Sequence, residues 1–207
     1  IIYGGGGHAA VVIDLVEKTG QYQIGGLIDD RAARAGSVLD YPVLGGGEIL
    51  EELHRQGIRY GFVAIGDNNI RRAKTLALAE AGFETVSLIH PFSSVGKETL
   101  FGRGSMLCCG AAVDPRVRVG EGCLLNIRTV VGHGTEIGSF VHLSAGVTCG
   151  AEVVIGENTF IGMGTTVISG LKIGKGVFVG AGSVVTKSLP DHVRAAGVPA
   201  RIVKSHP

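Results

Sequence analysis

Residues 131–184 read, in sixes, VGHGTE IGSFVH LSAGVT CGAEVV IGENTF IGMGTT VISGLK IGKGVF VGAGSV. Each hexad opens on an apolar residue: Val131, Ile137, Leu143, Cys149, Ile155, Ile161, Val167, Ile173 and Val179. The phase runs back without a slip through Leu125, Val119, Val113, Leu107 and Phe101 to Val95, and forward to Val185. Glycine usually follows the apolar residue, as in Gly96, Gly102, Gly120, Gly132, Gly138, Gly150, Gly156, Gly162, Gly174 and Gly180. Four places after each opening residue stands a small or branched one, such as Thr99, Ser105, Thr129, Thr135, Thr159, Thr165 or Ser183. A strict short period marks a solenoid, in which each unit buries its apolar face only by stacking on its neighbours. Two inward positions per hexad flank one outward residue, so each strand is short. The glycine then reads as the residue that tolerates the dihedrals of a tight corner. Three such strands per coil build a triangular prism, a parallel β-helix.

Composition agrees with a two-part chain that binds no nucleic acid. At 207 residues it can bury a sizeable core in one large or two small domains. Apolar residues make up 45%, yet charges are interspersed throughout and no apolar run is long enough for membrane insertion. No basic segment leads into an apolar one at the start, so no secretory signal is read and the expected location is cytoplasmic. The opening Ile1-Ile2-Tyr3 reads as a strand already under way, as though a residue or two were missing before it. Net charge is +1 with the basic residues scattered, which gives nucleic acid no electrostatic footprint. The four cysteines, Cys108, Cys109, Cys123 and Cys149, lack C-x-x-C spacing and read as reduced thiols, with no metal site.

The first ninety residues follow another rhythm. A strand over 1–3, the loop Gly4-Gly5-Gly6-Gly7, a helix over 8–18, a strand over 24–28 ending at Asp29-Asp30, and a helix over 48–56 come first. A strand over 62–65, the turn Gly66-Asp67-Asn68, a helix over 70–81 and a strand over 85–89 follow. Strands alternating with helices argue for a small Rossmann-like α/β domain with a parallel sheet. His90-Pro91 is the expected boundary, giving domains 1–90 and 91–207, and the aperiodic segment 186–207 is expected to cap the prism.

Gly4, Gly6 and Ala9 fit G-x-G-x-x-A between a strand and a helix, with Asp29 downstream. Ninety residues are few for both halves of a dinucleotide domain. Amides at a helix N-terminus with no side chains in the way accept any phosphate, so a sugar nucleotide satisfies this loop as well as NAD does. Glycines needed only for close strand–helix packing are the remaining reading. Within the prism the histidines are His133, at a corner, and His142, just before the inward Leu143 and so pointing outward. Outward histidines on a flat face become functional once prisms assemble and clefts form between them.

The ordered set Gly4-Gly5-Gly6-Gly7-His8, Ala64-Ile65-Gly66-Asp67-Asn68-Asn69-Ile70-Arg71, Ile89-His90-Pro91, Asn126 to His133 and Gly197-Val198-Pro199-Ala200-Arg201 resembles the bacterial nucleotide-sugar acetyltransferases. That group is typified by bacillosamine and perosamine N-acetyltransferases, with sialic acid O-acetyltransferases as relatives, and the resemblance covers essentially the whole chain. It implies a left-handed β-helix, a homotrimer with sites between subunits, and acetyl-CoA as co-substrate without a metal. It also implies roles. His133 matches the general base. Gly6, Gly7, His8, Asp29, Asp30, Gly66 and Asn68 match nucleotide-sugar positions, and Asn126 holds the sugar near its amine. His142, Gly162, Met163, Gly180, Ala181 and Pro199 match acetyl-CoA contacts. The family usually has an acid directly after the catalytic histidine, where this chain has Gly134; Glu152, one coil on, is the expected substitute and Glu136 a second candidate. The preferred acceptor is the amine of a 4-amino-4,6-dideoxy sugar, with sialic acid O-acetylation as the alternative. A γ-type carbonic anhydrase needs three converging histidines where the prism has two. A scaffolding solenoid would not need the glycine loop, and an NAD enzyme lacks a companion hydride-transfer motif.

Overall fold

In a computed structural model, which describes residues 1–31 and 36–205, the repeat folds into two-residue strands with an eighteen-residue register. Met106 pairs with Leu124, Leu124 with His142, His142 with Phe160 and Phe160 with Phe178, all parallel. These strands form the first face of a left-handed parallel β-helix. Ala112–Val113, Val130–Val131, Thr148–Cys149, Thr166–Val167 and Val184–Val185 stack on the second face, and Arg118–Val119, Glu136–Ile137, Val154–Ile155 and Lys172–Ile173 on the third. The second residue of each pair points inward: Leu107, Val113, Val119 and their successors form one continuous buried cluster up to Val185.

The other inward position carries hydroxyls that tie the coils together. Thr159 Oγ1 donates to the Gly174 carbonyl at 2.7 Å and accepts from the Val177 amide at 3.1 Å. Ser105 makes the same pair with Gly120 and Cys123, and Thr135 with Gly150 and Val153. Each hydroxyl thus serves one donor and one acceptor, which makes its full burial tolerable.

The glycines after the inward residues serve a purpose other than the expected corner dihedrals. None of them has a positive φ. A Cβ on Gly120 would lie 2.6 Å from the Ser139 nitrogen, and one on Gly132 2.6 Å from the Ala151 nitrogen, so close approach of the next coil excludes a side chain. The left-handed corners fall two residues later, at Gly110, Gly122, Gly134, Gly146, Gly164 and Gly182, and also at Arg116, Arg128, Phe140, Glu152 and Asn158.

Past Val185 the period ends. Leu189 bridges to Ile173, and the hairpin Val193–Gly197/Ala200–Ser205 adds to the first face beside Phe178–Val179. Leu189, Val193, Ala195 and Ala200 join the prism core, closing its last coil.

The chain divides into the units Ile1–Leu88 and Ile89–Pro207. His90-Pro91 therefore lies inside the first coil, where the His90 amide donates to the Leu107 carbonyl at 2.9 Å. In the first unit, strands β1 (Ile2–Tyr3), β2 (Leu27–Ile28), β3 (Ser37–Val38), β4 (Tyr41–Gly45), β5 (Tyr60–Val63) and β6 (Glu84–Thr85) form a sheet of order β3-β4-β2-β1-β5-β6. All pairs are parallel except the β3–β4 hairpin. Helices α1 (Gly7–Thr19), α2 (Leu50–Arg55) and α3 (Asn68–Glu80) complete it, with Ile1, Tyr3, Ile28, Leu50, Leu53, Val63, Leu78 and Phe83 as its core. Two expected strands are shorter. The 24–28 strand keeps only Leu27–Ile28, and the 85–89 strand splits into Glu84–Thr85 and Leu88–Ile89, which join different sheets. Among the described residues no helix is long and apolar enough to cross a membrane.

Candidate active site

At the carboxyl ends of β1, β2 and β5 the glycine loop bends tightly. Gly4 has φ +123°, and a Cβ there would sit 2.8 Å from the Ala64 carbonyl oxygen. Asp29 fastens this loop: its carboxylate accepts the Gly5 amide at 2.7 Å and the Arg31 amide at 2.9 Å. Asp30 accepts the Tyr3 hydroxyl at 2.6 Å and the Gly47 amide at 2.9 Å, and pairs with Lys74. Burial pushes both carboxyls up, but for Asp29 the Arg31 and Gly5 amides outweigh it, and for Asp30 the Lys74, Tyr3 and Gly47 donors do. Both pKa values therefore lie below the ordinary range. The two acids expected at the nucleotide are thus ions that organise the crevice wall.

Gly6 and Gly7 leave the α1 N-terminus bare. Gly6 caps the helix without a side chain, and no heavy atom lies within 4 Å of a Cβ placed on either residue. Beside them the His8 Nε2 is buried and has no hydrogen-bond partner among the described residues. Burial, then the Arg71 charge, lowers its pKa, so the imidazole is held neutral. Arg71, quoted in the sequence motif but given no role there, is the fully buried hub of this side. It donates to the Ile65 and Gly66 carbonyls at 3.1 Å each and to Asn68 Oδ1 at 2.8 Å. Asp67 caps α3 by accepting the Ile70 amide at 2.9 Å. The buried face of α3 is Asn68, Arg71, Thr75 and Leu78, so no apolar stripe announced in the sequence that Arg71 would be buried.

On the prism, Asn126, Gly162 and Gly180 fall in one column at the edge where the first face turns into the second, with Met163 and Ala181 in the next column. Met163 is 60% exposed, and its carbonyl accepts the Gly182 amide at 2.8 Å. His142 lies on the first face near this edge. It is buried, contrary to the exposed outward imidazole expected, because the Phe160 ring packs against it edge to face at 5.1 Å, with Phe178 stacked beyond. Pro199 is exposed in the turn of the terminal hairpin.

His133 occupies the other edge of the second face, exposed, with the Val130–Val131 strand between it and Asn126. Its carbonyl accepts the Glu152 amide at 2.9 Å, and Glu152 Cγ lies 3.5 Å from where a Gly134 Cβ would be. One chain thus gathers Asn126, His142, Gly162, Met163, Gly180 and Ala181 along one edge and His133 with Glu152 along another. Glu136 is exposed on the third face. Among the described residues no group of three or more His, Cys, Asp or Glu side chains converges as a metal site. The four cysteines are free, and burial pushes Cys108 (with Cys109 alongside) and Cys149 up to about 12, so Cys108 and Cys149 are thiols rather than thiolate nucleophiles.

A crystal structure of a histidine variant of perosamine N-acetyltransferase from Caulobacter crescentus, in complex with CoA and GDP-perosamine, superposes with a TM-score of 0.95. It is 37% identical over 99% of this chain and 96% of that one. The chain belongs to this family of nucleotide-sugar N-acetyltransferases. Other parts of the comparison agree. The first 76 residues match the PglD N-terminal domain, residues 116–151 the hexapeptide repeat of succinyl-transferase, and residues 152–187 the bacterial transferase hexapeptide. The acetyltransferase domain of PglB from Neisseria gonorrhoeae, in complex with acetyl coenzyme A, is 33% identical over 98% of this chain and 97% of that one, with a TM-score of 0.91. WeeI from Acinetobacter baumannii is 29% identical over 98% of both chains, with a TM-score of 0.87.

Proposed function

We propose that the protein transfers the acetyl group of acetyl-CoA to the amine of a nucleotide-linked 4-amino-4,6-dideoxyhexose, in the cytoplasm, for surface glycan synthesis. The observation that carries this reading is the end-to-end likeness to an enzyme crystallised with CoA and GDP-perosamine. The bare α1 N-terminus supports the nucleotide part of the substrate at Gly6, Gly7 and His8, with Gly66 and Asn68 opposite. His133 is the general base. As the amine nitrogen bonds to the thioester carbonyl carbon, His133 takes its proton; the C–S bond then breaks and the CoA thiolate recovers a proton from the imidazolium. A positioned base of this kind contributes about 10²–10⁴-fold. No covalent enzyme intermediate is needed, since the thioester is already activated.

Asn126 holds the sugar near its amine, and His142, Gly162, Met163, Gly180, Ala181 and Pro199 form the acetyl-CoA side of the reading. His133 belongs to the opposite edge, so the working site takes His133 from a second copy, and the enzyme is a homotrimer with three shared clefts. Glu152 orients His133 in place of a side chain at Gly134. A thiol-release assay with acetyl-CoA and a panel of UDP-, GDP- and dTDP-linked amino sugars tests the proposal, with mass spectrometry of the product to separate N- from O-acetylation. Turnover confined to sialic acid would overturn the amine assignment.

A further inference from the structure

The edge that holds Asn126 has a left-handed corner position in five successive coils: Gly110, Arg128, Gly146, Gly164 and Gly182. Glycine takes this conformation without a Cβ penalty, and in this column only Arg128 keeps a side chain there, at φ 58°. The arginine is exposed, and among the described residues no carboxylate is paired with it. Its stem leans over the preceding coil, with Cγ 3.6 Å from the place of a Gly110 Cβ. Two residues away, Asn126 turns its acceptor back on its own backbone: Oδ1 accepts the Ile127 amide at 2.7 Å. Asn126 keeps its amide N–H pair for a ligand, with one Oδ1 lone pair already taken, and a guanidinium has only donors.

We infer that Asn126 and Arg128 form a donor-rich subsite for an anionic oxygen of the acceptor substrate, and that this oxygen belongs to the sugar-linked phosphate of the nucleotide sugar. The inference rests on the nucleotide-sugar reading above and gives that site a specificity determinant. In such a substrate the phosphate is one glycosidic bond from the ring that carries the amine. A ring seated at Asn126 therefore brings it within the reach of an arginine side chain. Arginine binds phosphate through two parallel charge-assisted hydrogen bonds, which lysine does not reproduce. The acceptor's carboxylate, in an acidic sugar, is the other source of such an oxygen.

Steady-state kinetics of the full chain with Arg128→Gln and Arg128→Lys separate these cases, with thermal unfolding as a check that both variants fold. Arg128→Gln is expected to raise KM for the nucleotide sugar about tenfold or more, with kcat and KM for acetyl-CoA within about twofold, and Arg128→Lys to recover only part of the loss. Inhibition by the free nucleoside diphosphate should weaken by a similar factor. Unchanged inhibition by the diphosphate, with a raised KM only for a carboxylate-bearing sugar, overturns the phosphate assignment. An unchanged KM for every acceptor overturns the subsite. Calorimetric binding of the nucleoside diphosphate to wild type and Arg128→Gln needs no turnover. A wild type that acetylates nothing in the panel therefore sinks the parent reading, while equal diphosphate binding by the two proteins sinks this one.

Discussion

His133 is followed by Gly134 rather than by an acid, and it stands exposed at its edge of the second face, where the proposed mechanism makes it the base. His133→Ala should lower kcat by roughly 10²-fold or more with little change in either KM, because a base acts mainly in the transition state. A near-normal kcat would move the base elsewhere. His142→Ala should be milder and raise KM for acetyl-CoA. If Glu152 orients His133, Glu152→Gln should move the acid limb of the pH–rate profile, and an unchanged profile removes it from the mechanism. Asp29 and Asp30 give a prediction about stability. Their folded pKa values lie below the ordinary value of about 3.9, so their contribution is complete above that pH and is lost as pH falls through the folded values. Melting temperature followed from neutral pH to pH ~3 should therefore fall, and Asp30→Asn should start lower and fall less. The fates of His142 and Arg71 were not legible from their positions. The first is covered by Phe160 from the next coil, and the second by carbonyls that only the folded crevice brings together.

Coils of two-residue strands stay in register because each hydroxyl and each close-approach glycine fits only one spacing. Thr159→Val should cost about 1–3 kcal/mol, since it leaves the Gly174 carbonyl and the Val177 amide short of a buried partner. Gly120→Ala forces the adjacent backbone apart and should also lower the melting temperature, although the position has no unusual φ. A Gly120→Ala protein as stable as wild type would return that glycine to the role of a simple corner. In the first unit the β3–β4 hairpin went unread because its turn, Leu39-Asp40, takes positive φ at both residues with neither Gly nor Asn to announce it. The split of the 85–89 strand was equally hidden, since an apolar stretch does not say which of two sheets each half will join.

One chain sets Asn126 and the residues proposed for the coenzyme on one edge of a prism face and His133 on another, so activity should require association. Co-refolded mixtures of His133→Ala and Asn126→Ala chains should regain activity beyond either variant alone, because a mixed assembly contains some clefts with both residues intact. Mixtures that stay at the level of the weaker variant would mean that each site is built within one chain. The six-residue period by itself determined the prism, its eighteen-residue coil and its inward residues, because a solenoid makes contacts only between neighbouring coils and a fixed spacing settles all of them. The alternation of strands and helices likewise determined a small α/β unit. Only the tertiary structure decided why the hexad glycines are glycines, where His142 is buried, that Asp29 and Asp30 organise a wall, and that Asn126 and His133 part at opposite edges. Those outcomes depend on which backbone or ring arrives from a different coil or strand, and a one-dimensional pattern carries no distance across that gap.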